Sequence, residues 1–119
     1  MKVSVIIPVY NAEKYLRKAV LSALAQDETA EVILIEDNSS DNSLEICEEL
    51  EKKHNIVKLF RHPGGANKGA GESRNLGIER SSQDYIAFLD ADDYYLANRF
   101  IRDKKIFYDH PDAFGVYNA

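Results

Sequence analysis

The sequence predicts a doubly wound α/β sheet, mainly parallel, with helices on both faces. Three observations lead there. Strand-like and helix-like patterns alternate four times along the chain. Two apolar strands, in "VILIEDNSSDNS" and "YIAFLDADDYY", run straight into clusters of acids and small polar residues. The chain has 119 residues with 45% hydrophobic content, enough for one domain with its own core.

The elements follow in order. Lys2 to Pro8 is a buried strand rich in β-branched residues, closed by Pro8. Asn11 is positioned to cap a helix reaching about Gln26, in which Tyr15, Leu16, Ala19, Val20, Ala23 and Leu24 recur at helical spacing. Val32 to Ile35 is the second strand. Ser40 or Asp41 caps a second helix with Leu44, Cys47 and Leu50 on one face. Ile56 to Phe60 is the third strand. The glycine-rich "HPGGANKGAGESRNLG" turns helical near Glu72 to Ser82, and Tyr85 to Leu89 is the fourth strand. Leu96, Phe100, Ile101, Lys104 and Phe107 suggest a last helix, and "AFGVYNA" a strand just begun. Right-handed crossovers in strand order 3-2-1-4 place strands one and four side by side at a switch point. The loops Pro8 to Asn11 and Asp90 to Asp93 then face each other across a crevice, with Asp37 to Asp41 beside them.

Composition narrows the function. The formal net charge is -5 with both signs mixed, which argues against a nonspecific nucleic-acid binder. An anionic small ligand is still allowed, because a metal ion reverses the local field. Cys47 is the single cysteine, so no internal disulfide forms and a reducing compartment suits the chain. On a helix face it reads as a buried, inert thiol. The apolar run at the amino end is short, is interrupted by Pro8 and shows no signal-peptide cleavage pattern, so a soluble, cytoplasmic chain is expected.

The candidate site residues each carry two readings. In an extended "DADD", Asp90 and Asp92 share one side and Asp93 lies opposite. Paired carboxylates repel unless neutralised, and they suit a hard divalent ion such as Mg²⁺ or Mn²⁺. Equally, Asp92 or Asp93 can cap a helix and meet its dipole. Asp37 ends the second strand, and with Ser39, Ser40 and Asp41 available for capping it is expected to be free to accept a nucleobase ring N–H. Glu36 points the other way, as a flanking charge. Tyr10 either stacks on a base or packs under a loop. The glycine-rich loop is neither a Walker A loop nor a dinucleotide fingerprint, since Arg74 stands where the third glycine belongs. It offers Lys68 and Arg74 to an anion, with Lys68 better read as solvated and Arg74 as the planar fork that suits phosphate. His62 reads as a loop residue, and His54 and His110 lack metal-ligand spacing. A serine-hydrolase motif is absent.

Taken together, "VSVIIPVYNAEKYL", "EVILIEDNSSDNS", "GAGESRNLGI" and "YIAFLDADDYY" resemble the amino-terminal half of a family 2 glycosyltransferase of the GT-A fold. The resemblance implies transfer of a sugar from a nucleotide-diphosphate donor, usually a UDP-sugar and usually with inversion, to a carbohydrate or lipid-linked acceptor. It implies that Pro8, Tyr10 and Asn11 contact the base, that Asp37 reads it, and that Arg74 lies near the nucleotide. Asp90 would lie near the ribose and Asp92 would bind Mn²⁺ or Mg²⁺. Glu36-Asp37-Asn38 stands where two acids and a glycine are common, and Ser73 where alanine is common. The resemblance places the general base beyond Ala119, together with the acceptor site. A complete domain of this kind is about twice as long. Residues 1–119 are therefore expected to be one domain, the nucleotide-binding half, truncated at its carboxyl end with the acceptor half absent. In the full-length protein it would act in cell-envelope polysaccharide synthesis at the inner face of the membrane. An exposed last sheet edge would favour self-association.

Overall fold

The computed structural model describes residues 1–100. Its elements are β1 (Val3–Val9), α1 (Leu16–Leu24), β2 (Thr29–Glu36), α2 (Ser43–Lys53), β3 (Val57–Arg61), α3 (Gly69–Arg80) and β4 (Tyr85–Phe88). The sheet runs β3-β2-β1-β4, and every pairing in it is parallel. This is the order expected from sequence, with β1 and β4 adjacent at the switch point. The predicted last helix does not begin at Leu96, since 97–100 form a turn with Asn98 at φ 62°; its remainder to Phe107 and the strand in "AFGVYNA" lie outside the described residues.

Strand β1 is the centre of the sheet because both its neighbours pair with it and nearly all its side chains are buried. Pro8 does not close it, since the strand continues to Val9. The carbonyl of Ile6 accepts the Leu89 amide and that of Val9 accepts the Asp37 amide, so backbone groups alternate between neighbours. The nitrogen of Pro8 therefore turns to the β4 side, where pairing has already ended at Phe88. A missing N–H costs no ladder bond there.

Alternation along the strands builds two cores. Val3, Val5, Ile7 and Val9 of β1, with Val32 and Leu34 of β2, meet Leu16, Ala19, Val20 and Ala23 of α1 and Ile46, Cys47 and Leu50 of α2. Burial pushes the Cys47 thiol up to about 12, so it is the inert thiol expected. On the opposite face Ile6, Ile33 and Ile35 pack with Phe60 and with Leu76 of α3. Helices thus cover both faces, as predicted. Helix α3 approaches β1 closely: a Cβ on Gly77 would collide with Cγ2 of the fully buried Ile6. No helix among the described residues is long and apolar enough to cross a membrane.

At the amino ends of the strands, Glu31 is buried in β2. Burial would push its carboxyl up. The Ser4 hydroxyl, the Ser82 amide, the Lys58 ammonium and the Ser82 hydroxyl outweigh that and hold it at about 2. This cluster joins β2 to the α3–β4 connection, away from the crevice.

Two predictions follow from this packing. Gly77→Ala should destabilise the fold by about 1–3 kcal/mol in denaturant unfolding, because the α3–β1 contact leaves no room for a methyl group. Glu31 has a depressed folded-state pKa, so the unfolded chain binds more protons below its ordinary value of 4.5. Its contribution, up to about 3 kcal/mol, should be complete above pH 4.5 and lost as pH falls toward 2. Unfolding free energies measured across that range should show a flatter acid limb in Glu31→Gln.

Candidate functional site

Parallel strands deliver their carboxyl-end loops to one edge, and here side-chain hydrogen bonds lace those loops together. The β1–α1 and β2–α2 loops each contain a left-handed asparagine, Asn11 at φ 48° and Asn38 at φ 58°, a conformation that asparagine tolerates better than most residues. The Asn11 side-chain oxygen accepts the Ser40 amide at 2.8 Å, and the Asn11 amide donates to the Ser39 hydroxyl at 2.9 Å. Asn11 is therefore a loop clasp and not the cap of α1, which begins at Leu16. Asp41 accepts the Ser43 amide at the start of α2 and the Glu13 amide across the gap. Burial raises its pKa, but bonds from the Ser43 hydroxyl and amide and the Glu13 amide hold it below the usual carboxylate range. Neither expected residue is the cap of α2, which is Asn42 with no side-chain cap bond: Asp41 holds the Ser43 amide from the position before it, and Ser40 serves Asn11.

Glu36 is no flanking charge. It is buried, and its carboxylate accepts the Asn38 and Ser39 amides and the Arg61 Nε–H at 2.9 Å. It shapes the turn that follows β2 from below.

Asp37 is likewise not free. It is buried, and its two oxygens accept the backbone amides of Lys68 at 2.7 Å and Gly69 at 3.0 Å. These are orphan donors at the amino end of α3. Gly69 sits at φ 88°, which a residue with a Cβ adopts only under strain. The Asn67 side chain adds a bond to the Asp37 carbonyl. Sequence reasoning looked for helix caps within a few residues and missed one that arrives 31 positions later.

A cleft of about 640 Å³ opens at this edge. Pro8, Tyr10, Asn11, Asp37, Arg74, Asp90 and Asp92 all line it. Every residue expected at the site is thus brought to one cavity, and Lys68, whose side chain is exposed, is not among the lining residues. Tyr10 is 54% exposed, so it is not packed under a loop. The segment after β4 is a turn and not extended, closed by the Asp93 amide on the Asp90 carbonyl. It still turns Asp90 and Asp92 to the cleft and buries Ala91 between them, while Asp93 receives the Tyr94 amide. Arg74 stands 3.5 Å from Asp90. Tyr15, expected in the core, is half exposed and lines the cleft, as do Asn67 and the buried Ser73. Helical spacing placed Tyr15 with the apolar stripe, and nothing local in the sequence marks the other two.

The donor set fits a hard divalent cation. Among the described residues, three carboxylates and the guanidinium of Arg74 line the cleft, so this lining is acidic. Asp90 and Asp92 are exposed oxygen donors in that lining. Among the described residues no group of three or more His, Cys, Asp or Glu side chains could hold a metal alone. A pair that leaves further positions to phosphate oxygens and water is the arrangement Mg²⁺-type ions accept.

The sequence matches the family model for Glycosyl transferase family 2 over residues 4–115. It is 47% identical over 93 residues to an uncharacterized glycosyltransferase of Haemophilus influenzae, covering 77% of this chain and 36% of that protein. It is 39% identical over 102 residues to the minor teichoic acid biosynthesis protein GgaA of Bacillus subtilis, covering 80% of this chain and 22% of the relative. The structure superposes on S. aureus TarS 1-349 in complex with UDP-GlcNAc with a TM-score of 0.74 and 34% identity, over 92% of this chain and 31% of that one. The chain thus spans about a third or less of the length of these proteins.

Removing the Asp37 carboxylate should loosen the whole edge. Asp37→Ala should cost about 1–3 kcal/mol and accelerate hydrogen exchange at the Lys68 and Gly69 amides. Unchanged exchange at those two amides would show that another group satisfies them.

Proposed function

This chain belongs to glycosyl transferase family 2, and from that premise we propose that its cleft binds the nucleotide-diphosphate sugar donor of a glycosyl transfer reaction. The observation that carries the proposal is the gathering of Tyr10, Asp37, Arg74, Asp90 and Asp92 around one cavity at the switch point. Tyr10 stacks on the base, with Pro8 and Asn11 shaping the walls of its pocket. Asp37 accepts a base ring N–H with lone pairs that the Lys68 and Gly69 amides leave over. Asp90 lies toward the ribose, and Arg74 meets the diphosphate. UDP-GlcNAc in the TarS complex supports a uridine donor as the first to test.

An acidic cleft repels a diphosphate unless a cation intervenes. Asp92, with Asp90, would hold Mn²⁺ or Mg²⁺, which when bound neutralises the charge that grows on the departing diphosphate. The acceptor hydroxyl must also lose a proton, ideally to a positioned carboxylate, in a transfer that inverts the sugar centre. The carboxylates of this cleft already have donor-side roles. We therefore name no catalytic base among these residues and assign it, with the acceptor site, to the part of the relatives that this chain does not span. On this reading residues 1–119 are the nucleotide-binding half of a GT-A domain. The GgaA relative, named for teichoic acid biosynthesis, supports a cell-envelope polysaccharide or glycoconjugate as the product.

The same observation favours a second reading for the 119 residues alone, a nucleotide- and metal-binding module without turnover. Calorimetry with UDP and Mn²⁺ tests the shared core of both. Binding should require the ion and weaken at least about tenfold in Asp92→Ala, while the melting temperature stays the same. Metal-independent binding, or unchanged affinity in Asp92→Ala, would remove the metal role. Sugar transfer by the isolated chain would eliminate the second reading.

A further inference from the structure

His62 has no part in the roles assigned so far, yet it is buried beside the site. It follows the last residue of β3 and precedes Pro63, which restricts it to extended backbone, and it sits at φ −67°, ψ 153°. Its carbonyl accepts the Gly65 amide at 2.8 Å, closing the turn below it. The backbone thus holds the imidazole in one place.

That place is the junction of three elements. His62 Nε2 lies 3.0 Å from the Ser73 hydroxyl on α3 and 3.6 Å from Asp37 Oδ1 at the end of β2. The second distance is too long for a full hydrogen bond, so Ser73 is the main partner and Asp37 the electrostatic neighbour. All three side chains are buried, where a bare nitrogen lone pair facing a carboxylate is repelled with little screening. A proton on Nε2, accepted by the Ser73 oxygen, removes that repulsion and turns a positive edge to Asp37.

We propose that His62 is a positioning residue for Asp37: its Nε2–H, bonded to Ser73 and facing Asp37 as an electrostatic neighbour, holds the carboxylate in the orientation presented to the base. The inference deepens the donor-binding reading and rests on it for its consequence. Without the imidazole, the carboxylate loses the neighbour that keeps it from rotating away from the Lys68 and Gly69 amides. Ser73 adjoins Arg74 on α3, so the same contact sets the guanidinium's starting point.

The test uses His62→Ala and His62→Gln, since a glutamine amide can restore an N–H near Nε2. Nitrogen-15 spectra of the wild-type imidazole should show Nε2 protonated. Exchange at the Lys68 and Gly69 amides should quicken in His62→Ala and return toward wild type in His62→Gln. Uracil carries a ring N–H where cytosine carries a bare nitrogen, so the preference for UDP over CDP should fall about tenfold in His62→Ala and recover in His62→Gln. A bare Nε2, or wild-type exchange in His62→Ala, overturns the proposal without any nucleotide. A UDP preference that Asp37→Asn abolishes but His62→Ala leaves intact also overturns it, while sparing the donor-binding reading. A UDP preference indifferent to Asp37→Asn instead refutes base reading by Asp37, and the spectra and exchange rates then decide the role of His62.

Discussion

The carboxylate of Asp37, received by the amides of Lys68 and Gly69, is the contact on which the cleft depends. Strand β2 ends there and helix α3 begins there, although more than thirty positions separate them. Two amides that would otherwise be orphaned at a helix terminus are satisfied by one ionised group, and bonds of this charge-assisted kind are about twice as strong as neutral ones. The arrangement needs Gly69 at positive φ and leaves α3 directed so that Ser73 and Arg74 border the cavity. Glu36, one residue earlier, anchors the opposite side of the same turn through Arg61 and two loop amides. Adjacent acids thus do different structural work because strand alternation points them to opposite faces.

The capping also settles the local electrostatics. An uncapped helix terminus presents roughly half a positive charge to an anion. Asp37 brings a full negative charge to that terminus, so α3 is not a ready phosphate site. Among the described residues, the cleft sets Arg74, itself 3.5 Å from Asp90, against three carboxylates. On the proposed reading, an anionic donor needs a cation to offset these carboxylates. A diphosphate-binding role and a metal-binding role therefore go together on that reading.

Rigidity at the edge has a further source in side-chain bonds between loops. Asn11 and Ser40, Glu13 and Asp41, and Ala12 and Ser43 link the β1–α1 loop to the β2–α2 loop and the start of α2. Loops that carry binding residues are usually the mobile part of an α/β domain. These are clasped to one another, and the turn after β3 is tied to β2 through Asn67. Tyr10 stays half exposed on a backbone held on both sides, by the Val9 carbonyl to Asp37 and the Asn11 amide to Ser39.

Much of the fold was legible from local physics. β-Branched runs, helical spacing and four alternations determined the elements to within a few residues, and the crossover rule ordered the strands. Pro8, Tyr10, Asn11, Asp37, Asp90 and Asp92 were legible as cleft residues too, because groups at the carboxyl ends of parallel strands must meet at one edge, whereas Tyr15, Asn67 and Ser73 were not. Nor were the partners of the site residues. The capping of α3 by Asp37, the burial of His62 against Ser73, the exposure of Tyr15 and the contact of Gly77 with Ile6 each join residues distant in sequence or depend on what packs above them. Periodicity reports which way a side chain points. Only the assembled sheet and helices decide what it meets there, because hydrogen bonds and close packing are properties of pairs.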